Sequence, residues 1–593
     1  MSGSRDLIPR ERNALTAAIL GAPLDEAGVV DTGPRKYLVH FVEFKDADSC
    51  SKFNVPEITV FDRFERFADV FIPVDNKVDD RLKALRAAPG YVWDEFGAES
   101  IAPPPITGNK GTSRAVPEAI VRGGFGELTG KGVIVVIIDT GLDFRNADFV
   151  TYDQSGEATS RLRYFWDTSG EEYAEGRLGQ PSPVSYPNGA PIGTLYSRDD
   201  LNRELRSNRT LIPVWDIDGH GTSCAGIAAG NGNNSEGKYK GVAPEAELIG
   251  VRLGDDLENA FLLNTICGWV HQLAGNTPVV FSCSFGSRAG GHDGMTIEER
   301  QLDARFPDSI VGRALCIAAG NDGTQALHAK VDCGGSNAPG VLSWSTPSPA
   351  YMEVYYGTSD DKDLRYADKL GLKETGAVNP LLDTYVSFFE VPAGPGEMQL
   401  YSQSGKKFTA HAYFTSFVDG CAFQGACAAD GGIVASPGVT CQAITVGSYD
   451  WNDQFDRHGH ITAFTDPLKG EPLTIGALSK YSSVGPLRTR KVTKPDIASP
   501  GQYYAAPAAR NTRALRDTSG QYDLFNGTSA ATPYTAGIVA LLMQKKPSIT
   551  LGELKSLLQT CATQDRFTGP VPNDSWGNGK LDRAAVEKMI SKL

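Results

Sequence analysis

Val133-Ile134-Val135-Val136-Ile137-Ile138-Asp139-Thr140-Gly141 is an unbroken apolar run, rich in β-branched residues, that ends on a carboxylate and a glycine. A strand with one wet face alternates apolar with polar residues, whereas a run without alternation reads as a strand buried on both faces of a parallel sheet. Sheets of that kind build their sites at the C-terminal ends of the strands, where Asp139 stands. A carboxylate there can accept a hydrogen bond from a histidine ring, fix its tautomer and stabilise the imidazolium. Taken by itself, a strand-end aspartate followed by glycine describes a turn equally well.

Two further apolar runs have the same character. Val279-Val280-Phe281-Ser282-Cys283 leads into Ser284-Phe285-Gly286, and Ala314-Leu315-Cys316-Ile317-Ala318-Ala319 leads into Gly320-Asn321. A histidine and a serine stand at the starts of two helical patterns. Asp218-Gly219-His220-Gly221-Thr222 precedes the small residues Ser223 to Ala229, which suit a helix packed very close to its neighbours with His220 in its first turn. The flanking glycines are expected to leave space for a substrate beside the ring. Asn526-Gly527-Thr528-Ser529-Ala530-Ala531-Thr532-Pro533 opens an apolar helix running to about Met543. Proline early in a helix is tolerated, because its missing N–H would have been an orphan there. The backbone N–H groups at such a terminus favour negative charge, which a developing oxyanion needs. Each segment also has a plainer reading: a core histidine with satisfied nitrogens, an N-cap serine, and an Asn-x-Gly turn at Asn321.

With Asp139, His220 and Ser529 in that chain order, the sequence resembles the subtilisin-like serine proteases, the subtilases. The serine does not sit in a G-x-S-x-G elbow, since the local string is Gly527-Thr528-Ser529-Ala530-Ala531. The resemblance implies a parallel sheet flanked by helices and a catalytic triad of those three residues. It implies that Asn321 donates its side-chain amide to the oxyanion. It also implies a substrate cleft walled by Ser284, Phe285 and Gly286 on one side and Ala318, Ala319 and Gly320 on the other, with Phe285 where leucine is more usual. An extended substrate would pair with that backbone as an added strand. Later stretches match the family too, among them Ser436-Pro437-Gly438, Lys494-Pro495-Asp496-Ile497-Ala498-Ser499-Pro500-Gly501 and Trp576-Gly577-Asn578-Gly579. Gly290-Gly291-His292-Asp293-Gly294 reads as an ordinary solvated loop.

At 593 residues the chain is too long for one core. Residues 1–34 read as an N-terminal extension with a short helix over Glu11–Leu20, and 35–105 as a small α+β unit. Residues 106–114 are a linker, 115–329 the first part of the catalytic domain, and 435–593 its second part. Between them, 330–434 hold short aromatic and β-branched runs separated by Gly, Pro and Asp, the pattern of a β-sandwich or jelly roll. The 35–105 unit resembles the inhibitory prodomain of subtilases, which implies an intramolecular inhibitor. The insertion makes the architecture similar to the Csp-type subtilases of spore formers. The fold class expected is therefore α/β, with an α+β prodomain and an inserted sandwich.

A formal charge of −14 without a long basic run argues against nucleic acid as a partner. No stretch of about twenty apolar residues is present, so no membrane span is expected. The N-terminus carries no apolar stretch long enough for a secretory leader, which points to the cytoplasm, or to secretion if a leader has been removed. The ten cysteines follow no zinc-type spacing and are expected as free thiols. No metal is expected; structural calcium, common in the family, finds no recognisable ligand set in Asp216-Ile217-Asp218 or Asp255-Asp256. The function expected is a serine endopeptidase acting on protein or peptide substrates through an acyl-enzyme. The alternatives are a catalytically silent scaffold and a peptide-processing or cyclising enzyme.

Overall fold

The computed structural model describes residues 29–31, 36–96, 110–111, 120–170, 173, 177–207, 209–255, 257–357, 363–379, 384–416, 418–457, 460–464, 472–489, 492–510 and 521–593. The helix expected over Glu11–Leu20 and most of the 106–114 linker lie outside these residues.

The N-terminal unit contains strands β1 (Val29–Asp31), β2 (Lys36–Phe44), β3 (Thr59–Phe64), β4 (Phe67–Pro73) and β5 (Tyr91–Phe96), with helices α1 (Ala47–Lys52) and α2 (Val78–Arg86). The sheet is antiparallel in the order β1-β2-β4-β3, and β5 also pairs with β2. Its first strand therefore starts inside the stretch read as an extension. Both faces of the sheet are dry. Leu38, Val42, Phe44, Val70 and Ile72 pack with Leu82 and Leu85 of α2, while Tyr37, Val39, Phe41, Phe67 and Phe71 join the main core.

That core surrounds a sheet of nine strands: β6 (Ile134–Asp139), β7 (Leu162–Asp167), β8 (Gln180–Pro181), β9 (Thr194–Ser197), β10 (Glu247–Arg252), β11 (Val279–Cys283), β12 (Arg313–Ala318) and, after the insertion, β22 (Ile444–Asp450) and β23 (Ile497–Gln502). Their order is β8-β9-β7-β10-β6-β11-β12-β22-β23. The seven from β7 to β23 run parallel, and β8 and β9 add an antiparallel edge. Every residue of β6, β11 and β12 is buried, as the unbroken apolar runs require. Among the helices around the sheet, those that matter for the site are α3 (His220–Ala229), α4 (Leu263–Ala274), α5 (Ile297–Arg305) and α6 (Thr528–Lys545). Helix α6 is buried from Thr528 to Met543, which explains its apolar residues all round. Among the described residues no helix is long and apolar enough to cross a membrane.

The N-terminal sheet lies against α4 and α5. Phe61 and Phe71 meet Phe261 edge-on, the Gln301 side chain donates to Asp69 at 2.6 Å, and the Ile297 N–H at the start of α5 donates to Glu95 at 2.6 Å. Burial, with the charge of Asp62, raises the Asp69 pKa well above its usual range. Burial also raises Glu298 to about 8 and Glu299 to about 7 on the facing helix.

The insertion forms β13 (His328–Cys333), β14 (Gly340–Thr346), β15 (Ala350–Gly357), β16 (Leu364–Asp368), β17 (Glu374–Asn379), β18 (Thr384–Val391), β19 (Gly394–Ser402), β20 (Phe408–Phe414) and β21 (Ala422–Phe423). Two antiparallel sheets, β13-β20-β15-β18-β17 and β16-β19-β14-β21, enclose one core to which Leu342, Trp344, Met398 and Leu400 contribute from one side and Met352, Val354, Phe389 and Ala412 from the other.

Candidate functional site

Strand β6 delivers Asp139 to the edge of the sheet, where its Oδ1 accepts hydrogen bonds from the Thr140 N–H at 2.8 Å and from His220 Nδ1 at 2.6 Å. His220 is the first residue of α3. The neighbouring glycines do not make room for a substrate, as the sequence suggested; they let the helix start touch the strand end. Gly219 takes the left-handed φ of +85°, and a Cβ on Gly221 would lie 2.0 Å from the Gly141 carbonyl oxygen and 2.9 Å from the Asp139 Cβ.

Sequence reading missed the role of Asp216 here. Its buried carboxylate accepts from the Thr222 N–H and hydroxyl (2.9 and 2.6 Å), the Gly219 N–H (3.0 Å) and the Thr140 hydroxyl (3.0 Å). One side chain thus ties the turn after Asp139 to the first turn of the histidine helix. The spacing Asp216-x-x-x-His220 was the available signal, but an acidic loop reads as solvated until its donors are seen.

Burial disfavours a charged imidazole, yet the Asp139 carboxylate outweighs it and holds the His220 pKa well above the ordinary value of 6.5. Cys224, one turn along α3, lies under the ring with Sγ 3.8 Å from Nδ1, and burial pushes its thiol up to about 11. Asp139, His220 and Cys224 gather three potential ligand atoms within 4.8 Å. With the carboxylate already bonded to the ring and the thiol protonated at neutral pH, the cluster holds together as hydrogen bonds. Cys224, Cys267, Cys283 and Cys316 are all buried free thiols of the core.

Ser529 is the second residue of α6. Its carbonyl accepts from Ser284 Oγ at 3.1 Å and from Cys224 Sγ at 3.4 Å, and its own Oγ donates to the Ser284 carbonyl at 3.4 Å. His220 Nε2 is buried and meets no hydrogen-bond partner among the described residues, so the Ser529 hydroxyl makes no hydrogen bond to the ring. Asp139, His220 and Ser529 are 1%, 4% and 1% exposed.

Asn321 lies beyond β12. Its Oδ1 accepts from the Thr528 N–H at 3.0 Å and the Thr528 hydroxyl at 2.8 Å, which leaves Nδ2 as the free donor beside the serine helix. Ser284 and Gly286 follow β11, Ala318 to Gly320 end β12, and Phe285 is 2% exposed with its ring in the main core, so a substrate would meet its backbone. Between the walls lies Ala435, which the sequence did not single out. Its N–H donates to the Ala319 carbonyl at 2.9 Å, and its methyl lies 2.8 and 3.2 Å from where a Cβ on Gly286 or Gly320 would be. His292 is not a solvated loop residue: it is buried, and its ring stacks on Tyr413 of the sandwich at 4.4 Å.

The model of the subtilase family matches residues 130–411 and 426–579. Serine protease AprX of Bacillus subtilis is 25% identical over 394 residues, covering 64% of this chain and 61% of that protein. The minor extracellular protease Vpr of the same organism is 24% identical over 484 residues, covering 78% and 52%. The chain thus spans only about half to three-fifths of the length of these relatives. Among solved structures, the CspB protease of Clostridium perfringens superposes with a TM-score of 0.61 at 19% identity, over 78% of this chain and 93% of that one, a likeness of fold.

Proposed function

The chain belongs to the subtilase family, and on that premise we propose that it is a serine endopeptidase in which Asp139, His220 and Ser529 form the triad. The observation that carries the reading is the 2.6 Å bond from His220 Nδ1 to Asp139. That bond fixes the tautomer and presents Nε2 as the base. Rotation of the Ser529 hydroxyl from the Ser284 carbonyl toward Nε2 forms the attacking nucleophile. Ser529 then adds to the peptide carbonyl, and His220 takes its proton and later gives it to the leaving amine. Asn321 Nδ2 and the Ser529 N–H receive the oxyanion. Water completes the acyl-enzyme cycle. The backbone of Ser284, Phe285 and Gly286, with Ala318, Ala319 and Gly320 opposite, flanks the residue before the cut, and Ala435 between them favours a small one. The unit from Val29 to Phe96 acts as an intramolecular inhibitor docked on α4 and α5, and the substrates are proteins or peptides.

A Ser529→Ala form should lose all turnover of casein and of fluorogenic peptides while keeping its circular dichroism. Hydrolysis that survives the change rejects the assignment. The absence of a serine–histidine hydrogen bond favours a second reading, a silent scaffold. A fluorophosphonate probe that labels wild type at Ser529 excludes it, and a folded protein that still resists the probe after proteolytic release of the Val29–Phe96 unit supports it.

A further inference from the structure

We propose that Arg288 is a positioning residue through which the inserted sandwich sets the oxyanion donor. The inference rests on the reading of Ser529 and Asn321 given above. Arg288 follows the Ser284–Gly286 wall, and its guanidinium reaches three places at once. Nε and Nη2 donate to the two carboxylate oxygens of Asp322 at 3.1 and 2.6 Å, Nη1 donates to the Ser416 carbonyl at 3.0 Å, and Nη2 also reaches Gln325 Oε1 at 3.4 Å. Asp322 is the residue after Asn321, and Ser416 lies just beyond β20 of the sandwich. A planar fork on a carboxylate fixes both distance and rotation, which a lysine ammonium cannot reproduce.

The anchor points are themselves held. Ser416 Oγ accepts from the Tyr351 N–H at 2.7 Å, and the Asp322 N–H donates to Ser483 at 3.0 Å. The loop that carries Arg288 is gripped along its length. The two ring nitrogens of His292 lie 2.8 Å from the Val434 carbonyl oxygen and 3.1 Å from that of Arg288, the Gly290 N–H donates to Glu353 of β15 at 3.2 Å, and Asp293 pairs with Arg488. Arg488 in turn lies over the Tyr355 ring at 4.6 Å. The sandwich therefore touches the cleft through a chain of polar contacts that ends one residue from the oxyanion amide. A misplacement of about 1 Å at a catalytic group can cost about 10²-fold in rate, comparable with losing one oxyanion donor outright.

The test compares full-length Arg288→Lys, the isosteric Asp322→Asn and their combination, using a peptide substrate and a peptide boronate that mimics the tetrahedral intermediate. Each single change should lower kcat about 10- to 100-fold and weaken the boronate in parallel, with KM within about threefold. The combination should lose no more than the worse single variant. Folded variants with kcat within about threefold of wild type, losses that multiply, or failure of both single variants to fold would each overturn the inference, the last by reducing the pair to a stability device. If Ser529→Ala still hydrolyses the peptide, the reading of the site fails and this inference with it. Turnover that depends on Ser529 but ignores Arg288 and Asp322 isolates the failure here.

Discussion

The central sheet and the inserted sandwich are built from the same apolar residue types but use them differently. Strands β6, β11 and β12 expose no position, whereas β14 and β19 alternate buried with open ones. A strand dry on both faces leaves only its ends free for chemistry, and Asp139, Ser284 and Asn321 stand at or just beyond such ends. A strand with one open face can be read by another surface along its whole length. Chemistry in this molecule therefore concentrates at the rim of the central sheet. The sandwich reaches that rim through the 287–294 loop and the Asp322 contact.

The sharpest test of this contrast is Asp139→Asn, which should lower kcat about 10⁴-fold. A calorimetric scan of that variant, taken above the folded His220 pKa where the ring is neutral, should show little change in unfolding. A change of similar burial inside the sandwich, such as Leu342→Val, should leave kcat alone; a comparable loss of kcat from Leu342→Val would break the contrast.

Next in size is a pair of core truncations. Phe281→Ala in β11 and Phe389→Ala in β18 should each cost about 3–5 kcal/mol. The first should lower the unfolding of the central domain together with activity, the second only a transition belonging to the sandwich. One shared transition that both variants shift equally would show that the two cores unfold as a unit.

The histidines sharpen the comparison by shifting in opposite directions. His220, beside Asp139, is raised well above 6.5, so the imidazolium pair stabilises the fold below that pH and is lost as pH rises through the folded pKa. The acid limb of kcat/KM should accordingly have its midpoint above 6.5, because attack needs the neutral ring. On the sandwich, burial lowers His328 to about 4 and His411 to about 3. Their contribution is present above 6.5 and drains away as pH falls through that value toward 4. Calorimetry between pH 7 and 4 should show the sandwich weakening, and His411→Gln should flatten that slope.

The smallest effect belongs to the N-terminal interface. Burial, with the charges of Glu299 and, across the interface, of Asp69 and Glu95, lets Glu298 hold its proton up to about 8, so docking weakens as pH rises from its ordinary value of 4.5 through that value and then levels off. Glu298→Gln should flatten that change, read as hydrogen exchange in α5 between pH 5 and 9.

Much of the fold was legible in the sequence wherever burial left a local pattern. Strands β6, β11 and β12 fall on the unbroken apolar runs singled out there, and the stretch read as a sandwich from its short aromatic and β-branched runs does form two packed sheets. Strands that escaped notice, among them β3, β7, β10, β16 and β17, carry charges or glycine among their apolar residues, and their pairing partners define them. At the site, the residue types and their order pointed to Asp139 and His220, but the glycines beside the histidine were given the wrong physical reason. Asp216, Ala435, Arg288 and His292 were illegible because their roles arise from groups distant in the chain. A buried carboxylate, a methyl between two walls and a bridging guanidinium have no periodicity to betray them.

The N-terminal sheet has two dry faces, and only one is covered by its own helices. Were this unit cut free, Tyr37, Phe41, Phe61, Phe67 and Phe71 would meet water together, at a cost of about 1.5–3 kcal/mol for each large side chain. A liberated fragment in that condition carries a contiguous exposed apolar patch, which is an aggregation liability. Severing it would make departure a one-way event, and the timing of that single cut would govern when the molecule changes state.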